Sequence, residues 1–534
     1  TLPTADGTNG QYLRTDGSGN LSWGSNTSAV TSSNTNFLLG TGTGASITTA
    51  TGNMHIGDGA GNKTTEGINN TFIGDTSGYS NTTGFYNTFI GYKSGYLHTT
   101  GDRNTFVGNQ AGRATTTGKR NTFLGNGAGY ANTTGTGNTF LGSRAGLVNS
   151  EGIDNVFIGD YTGYKTTTGG GNVFLGAGAG LNNTTAYGNV FLGYQAGASN
   201  TTAGSNVFVG YYAGIFNTAA YNTGVGYETL AANTTGTRNL AIGYHALDGA
   251  DTENDNLAIG YDALGGAIDG GEFNVAIGNY SLDANTAGDY NTAIGYNSLT
   301  GNTTGEKNSA FGHEALKANT TGYKNTAGGF NSLTANTTGV ENTAMGHYAL
   351  INNTTGSHNS AGGSGALNNN TTGTDNTAFG RWALNDNTTA GYNTAVGYTA
   401  LENANRTADA NAYNTAIGYN AGNTGTNDIT TGDKNVLVGA STAASAATAS
   451  NQIVIGYGVS GTGDNQIAFG NTDITHIKAQ VTSITGYSDI RIKKDIRDTN
   501  LGLAFINELR PVKYRLKNPA DYPVSLLGHR FKTG

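Results

Sequence analysis

The chain has no cysteine among its 534 residues, so no disulfide framework can brace it and its redox compartment leaves no trace. Proline occurs only 4 times against 87 glycines, which excludes collagen and points to many tight turns between short strands. Charged residues make up 12%, too few for a charge-rich disordered chain. The formal net charge of −8 is spread thinly and leaves no basic footprint for nucleic acid. No run approaches the roughly 18 to 20 apolar residues of a membrane span. No signal peptide is visible, and because the chain opens on Thr1 rather than Met, room is left for an upstream segment. Stability must therefore come from ladders and packing.

What the chain does have is one phrase, repeated. It reads Asn-Thr-Phe-Ile-Gly in the first half and Asn-Thr-Ala-Ile-Gly in the second. Its closing glycine falls at Gly74, Gly91, Gly108, Gly125, Gly142 and on to Gly210, always 17 residues apart. A fixed period this short marks one turn of a coil that cannot bury its apolar side chains alone. Residues 1–35 read as a leader or connector, 36–470 as the coil and 471–487 as a linker to a cleavage site. Residues 488–534 read as a separate C-terminal segment. One step is shortened (Gly210 to Gly226) and one lengthened (Gly260 to Gly278). The steps Gly397 to Gly418 and Gly418 to Gly439 carry longer surface loops. About 26 anchor glycines at roughly 4.8 Å per turn give a rod on the order of 120 Å long.

Within a turn, Asn138-Thr139-Phe140-Leu141-Gly142 reads as a strand of four or five residues. The Asn-Thr-Thr-Gly phrase, as in Asn132-Thr133-Thr134-Gly135, reads as a tight corner whose Asn and Gly supply positive φ values. The repeats change type near residue 222. Before it, phenylalanine pairs with a glycine six residues on, as Phe123 with Gly129 and Phe191 with Gly197. After it, alanine pairs with leucine, as Ala241 with Leu247, Ala293 with Leu299 and Ala344 with Leu350. The exchange conserves core volume, so the two positions are expected to share one packed space across a bend. The Phe/Ala position and its Ile/Leu/Val neighbour point to opposite faces, and both are apolar. One face can line the coil, while the other needs a partner, and a homotrimer is expected. The fold class is thus all-β: a parallel β-solenoid, or β-roll, of 17-residue repeats in a homotrimeric fibre, with a short α-containing C-terminal segment.

Four further features invite sharper readings. The Asn-Thr-Thr ladder could order water as ice-binding proteins do, accept N-glycans, or stack Asn on Asn to satisfy corner hydrogen bonds. The last is favoured, because the phrase sits beside glycine at a turn. Asp251-Thr252-Glu253-Asn254-Asp255 could be a calcium loop, but it leaves the spacing unchanged and is read as a polar surface corner. The eight histidines show no paired spacing, and neither metal nor cofactor is expected. Tyr244, Tyr261, Tyr296 and Tyr398 are expected to form a stacked row, either packing between turns or chains or presenting a carbohydrate surface.

After Gly470 the period stops. Leu501, Phe505, Ile506 and Leu509 mark one face of a short helix, with Asp498 or Thr499 as cap and Pro511 ending it. The phrase Ser488-Asp489-Ile490-Arg491-Ile492-Lys493-Lys494-Asp495-Ile496 resembles the start of the endosialidase-type intramolecular chaperone domain found at the C-termini of phage tail spikes and fibres. The downstream Leu501-Gly502-Leu503-Ala504-Phe505-Ile506 and Leu509-Arg510-Pro511-Val512-Lys513-Tyr514 fit the same opening. The resemblance implies a domain that holds three chains together while the fibre folds and then cuts itself off. Carried onto this chain, it makes Ser488 the nucleophile at the Tyr487–Ser488 bond and Lys493 its general base. A lysine can serve in that role once desolvation lowers its pKa. The chain stops at Gly534, short of the usual length of such domains, so the segment is read as the start of one.

The repeats themselves resemble the β-roll heads of trimeric autotransporter adhesins and the repeats of phage tail fibres. Leu2-Pro3-Thr4-Ala5-Asp6-Gly7 and Leu21-Ser22-Trp23 resemble tail-fibre connectors. These resemblances imply a structural fibre of a phage tail or similar appendage, on the virion or outside the cell. It would attach to a host-surface receptor, with glycan one candidate. The alternative is a cellular surface adhesin or an extracellular filament subunit. No turnover enzyme is expected, and at most autoproteolysis. Long-range intertwined strands fold slowly, which gives such a fibre a reason to carry a chaperone.

Overall fold

A computed structural model describes residues 11–15, 21–25, 35–405 and 411–476. Residues Thr1–Asp473 form one compact unit and Ile474–Gly534 a second. In the leader, Gln11–Thr15 and Leu21–Ser25 pair as an antiparallel hairpin with Leu13 opposite Trp23. The coil follows as a single ladder of three-residue strands from Phe37–Leu39 to Ile467–Phe469, each parallel to the next. Register is kept throughout, Phe123 opposite Phe140 and Ala293 opposite Ala310. The strands are shorter than the sequence reading because both ends are turned aside. The Asn before each strand as far as Val436–Val438 points inward, and the closing glycine leaves the extended region, with φ 143° at Gly125. That glycine is obligatory, since a Cβ at Gly125 would collide with the carbonyl oxygen of Gly142 in the next turn.

Pairing does not stop at the strands. The amides of Gly129 and Ala131 donate to the carbonyls of Ala145 and Leu147, both at 2.9 Å, and Arg120 donates to Asp102 at 3.0 Å. The corners are thus laddered like the strands, which satisfies backbone groups that would otherwise be buried unpaired.

The core changes composition along the rod. Phe72, Phe89, Phe106, Phe123 and Phe140 are fully buried and stack at 4.7–4.9 Å, and the column continues to Phe208. A Cβ at Gly129 would lie 2.5 Å from the Phe123 ring, and one at Gly197 the same distance from Phe191. The expected shared space is therefore real. From Leu230 to Leu401 leucine takes the place of that glycine, and Leu247, Leu299 and Leu350 are fully buried with the alanines that replace phenylalanine. The leucines keep the left-handed backbone of the glycines, φ 52° at Leu247 and Leu299 against 58° at Gly129. Such a conformation costs an L-residue about 1–2 kcal/mol, which the filled core offsets. At the seam, Gly224 gives way to both Phe208 and Leu230.

The Asn-Thr-Thr-Gly corner departs from its sequence reading. Neither Asn132 nor Gly135 has positive φ; the left-handed residues are the ones before the strand Asn, such as Arg120. Glycine at 135 serves close approach instead: a Cβ there would lie 2.6 Å from the Gly152 carbonyl oxygen. Ala186 and Ala390 hold the same place in their own turns, so glycine is favoured there and not obligatory.

Candidate association face and C-terminal junction

Each strand but the last buries its central residue and turns its two flanks outward. The third strand position therefore forms an apolar column on the outer face, with Leu124 44% and Leu175 43% exposed. Over five turns this column alternates large and absent side chains: Phe311, Gly328, Met345, Gly362, Phe379. Met345 lies over Gly328, its Sδ 2.7 Å from where a Cβ would be, and the Phe379 ring covers Gly362 in the same way. A continuous apolar stripe of this length is unusual on a lone soluble chain and marks an association surface.

Beside it runs the aromatic row. Tyr194, Tyr211, Tyr227, Tyr244 and Tyr261 stack at 5.0–5.4 Å, and Tyr296, His313, Phe330 and His347 resume the column at 5.0–5.4 Å. Tyr398 stacks on Tyr419. Ring faces are spent on neighbouring rings, and edges are what solvent meets. A sugar stacks on an open aromatic face, so the row packs between turns rather than forming a carbohydrate platform.

Inside the coil run two polar ladders. In the first, each strand Asn accepts the next turn's amide, as Asn121 Oδ1 does from the Asn138 amide at 3.0 Å, while Asn138 Nδ2 donates to Gly152 O at 2.7 Å. The sequence carries the signal, an Asn two residues before each central Phe or Ala as far as Ala416, but alternation along the strand does not give its inward direction. The second ladder holds the Asn of Asn-Thr-Thr-Gly: Asn302 Nδ2 donates to Asn285 Oδ1 at 2.9 Å and to Gly305 O at 3.0 Å. These amides are buried, and from Asn285 to Asn387 they are hydrogen-bonded turn to turn, which supports the stacked reading and removes them from reach of a glycosylating enzyme.

Two histidines substitute in these columns. His98 replaces an Asn, its Nδ1 3.1 Å from Asn81 Oδ1 and its Nε2 3.3 Å from Asn104 Nδ2, a pairing that suits the neutral ring. Burial lowers its pKa to about 3 against a weaker opposing pull from Asp102. His55 begins the phenylalanine stack, 4.7 Å from Phe72, and burial likewise lowers its pKa to about 3. In the acidic loop, the Glu253 carboxylate is buried and accepts from the amides of Asp251 and Thr252, both at 2.9 Å. Asp255 instead pairs outward with Arg238 at 2.6 Å. The three carboxylates diverge, which suits a polar corner. Among the described residues no three His, Asp or Glu side chains are placed to share a metal ion.

Tyr487, Ser488, Lys493 and the expected helix around Leu501 and Phe505 lie outside the described residues. The described residues define a parallel β-solenoid repeat protein of about 25 turns. Residues 488–534 match the family described as chaperone of endosialidase. No curated protein matches the chain. Together with the resemblance set out above, this match implies a trimeric fibre with a self-cleaving chaperone. No described helix is long and apolar enough to cross a membrane.

Proposed function

We propose that the chain is the subunit of a homotrimeric fibre, part of a phage tail or a similar appendage, which reaches and attaches to a host surface. The match of residues 488–534 to the chaperone family, directly after a solenoid with an unpartnered apolar face, carries this reading. Packing around a common axis would cover the columns of Leu124 and Phe311 on all three copies. Maturation follows from Ser488 and Lys493. The Ser488 Oγ attacks the Tyr487 carbonyl carbon while Lys493 takes its proton; Lys493 then gives that proton to the Ser488 nitrogen as the C–N bond breaks, leaving a Tyr487 ester and a new amino terminus. Water then hydrolyses the Tyr487 ester and frees the fragment.

Intact mass of the purified protein tests maturation. A fragment beginning at Ser488 is expected, and Ser488→Ala should leave the chain whole while assembly proceeds. An uncut native chain refutes the autoproteolytic role, and a monomer in sedimentation refutes the trimer.

A further inference from the structure

The attachment surface has a better candidate than the tyrosine row. Six residues after each anchor glycine the chain carries Ala232, Gly249, Gly266, Ala284, Gly301, Ala318 and Ala335 in seven successive turns. The next three turns carry Asn352, Asn369 and Asp386 instead. Alanine and glycine fill this corner in those seven turns, so the backbone there does not require a polar residue. They form one wall of a groove of about 620 Å³ that runs along the rod. Thr354, Thr371, Thr388 and Asn405 form the other wall.

The polar groups in this groove are held in place. Asn352 Nδ2 donates to Asn369 Oδ1 at 3.1 Å, and Asn369 Nδ2 donates to Asp386 Oδ1 at 3.3 Å. Asn385 Nδ2 donates to the same Asp386 oxygen at 2.7 Å. Each amide nitrogen keeps a second hydrogen for a ligand, and Asn352 Oδ1 and Asp386 Oδ2 remain as acceptors. On the other wall the Thr354 and Thr371 hydroxyls donate to the next turn's carbonyls at 3.0 Å, leaving oxygen lone pairs as acceptors. Groups already fixed by the fold lose little freedom when a ligand arrives.

We propose that this groove binds a neutral, linear polysaccharide lying along the rod. The lining holds no Lys or Arg and one carboxylate, which disfavours phosphate and sulfate. Its lining has no aromatic or large aliphatic side chain to anchor a peptide. Amides, hydroxyls and a single carboxylate, repeated at a strand spacing of roughly 4.8 Å, match hydroxyl groups recurring along an extended pyranose chain. The groove lies midway around the turn from the strand, so packing of copies through the strand face leaves it open. The inference deepens the attachment reading by naming the ligand's chemistry, yet it needs only one chain.

The test uses the full-length chain and four probes: the hexasaccharides of β-1,4-glucan, β-1,4-mannan and β-1,4-xylan, and heparin as a polyanion. Calorimetric titration should detect binding of at least one neutral hexasaccharide. Asn369→Ala and Asp386→Ala should each raise Kd at least tenfold, whereas Asn109→Ala, on an exposed corner elsewhere, should not change it. Circular dichroism of each variant checks that the coil is intact, and Asp386→Asn provides a replacement of unchanged shape. The proposal is overturned if none of the neutral probes binds, if heparin binds in their place, or if the groove variants bind like wild type. A monomeric, uncut chain that still binds would sink the trimer and its maturation while leaving the groove standing.

Discussion

The exchange of Phe–Gly for Ala–Leu can be tested in one turn. Gly129→Leu alone would drive a Cβ to 2.5 Å from a Phe123 ring already held between Phe106 at 4.7 Å and Phe140 at 4.8 Å. The ring has nowhere to slide. Overpacking of about 1–3 kcal/mol plus about 1–2 kcal/mol for a left-handed leucine gives a loss of roughly 2–5 kcal/mol. Phe123→Ala alone opens a cavity and costs about 3–5 kcal/mol. Independent effects would therefore sum to roughly 5–10 kcal/mol. The double variant instead recreates the Ala241–Leu247 arrangement of the second half. It should lose only about 2–5 kcal/mol, from the leucine backbone and the broken stacking on both sides. A long repeat array does not unfold in one step. The assay is therefore local: hydrogen exchange of the strand amides, such as the Thr122 amide that donates to Asn138 O at 2.8 Å. An additive double variant would refute the shared space and leave the volume argument without a basis.

Acid should open the N-terminal turns first. His55 and His98 are held neutral, with folded pKa values of about 3 against about 6.5 unfolded, so their stability is complete above pH 6.5 and is lost as pH falls toward 3. At pH 5 the loss is about 2 kcal/mol for each histidine, and His55→Phe should restore exchange protection locally; unchanged protection between pH 7 and 5 would contradict this. The chain's lack of cysteine makes cross-linking unambiguous. Leu141→Cys, on the outer column, should form interchain disulfides joining at most two of every three copies, while Thr134→Cys on the far corner should not. Equal cross-linking at both positions would argue against the strand face as the interface.

How much was legible follows from what repetition can reveal. The turn length and the Phe–Gly contact could be read because many near-copies vary around one backbone, and compensating changes in them report contact. The role of Gly135 is not legible in the sequence because left-handed φ and close approach both favour glycine, and only the neighbouring carbonyl of Gly152 tells them apart. The inward strand Asn escaped notice because alternation along a strand says nothing of the residue just before it. Asn352, Asn369 and Asp386 are hidden by abundance, since asparagine occurs in every turn and only their run over successive turns at one offset from the anchor glycine sets these apart. Ser488 and Lys493 rest on their motif and on the family match that begins at residue 488.

The structure also changes the reason such a fibre would carry a chaperone. Slow folding was expected from long-range pairing, yet every ladder joins residues one turn apart, as Phe123 joins Phe140. Local pairing of this kind favours fast folding of each coil. The difficulty lies between copies. If three coils pack through columns that repeat every turn, a slip of one turn exchanges each leucine or isoleucine for another and leaves most of the contact intact. Only the stretch from Phe311 to Phe379 resists, because a three-fold axis along the rod puts equivalent residues at one height. Correct alignment then gathers three large side chains in one layer with glycine layers above and below. Slipped by one turn, Phe meets Gly, leaving crowding in some layers and voids in others. That penalty acts after the coils have met, when correction requires separating a long apolar interface. A domain that joins the three chains at one end fixes alignment before the first turn packs, and an aligned fibre no longer needs it.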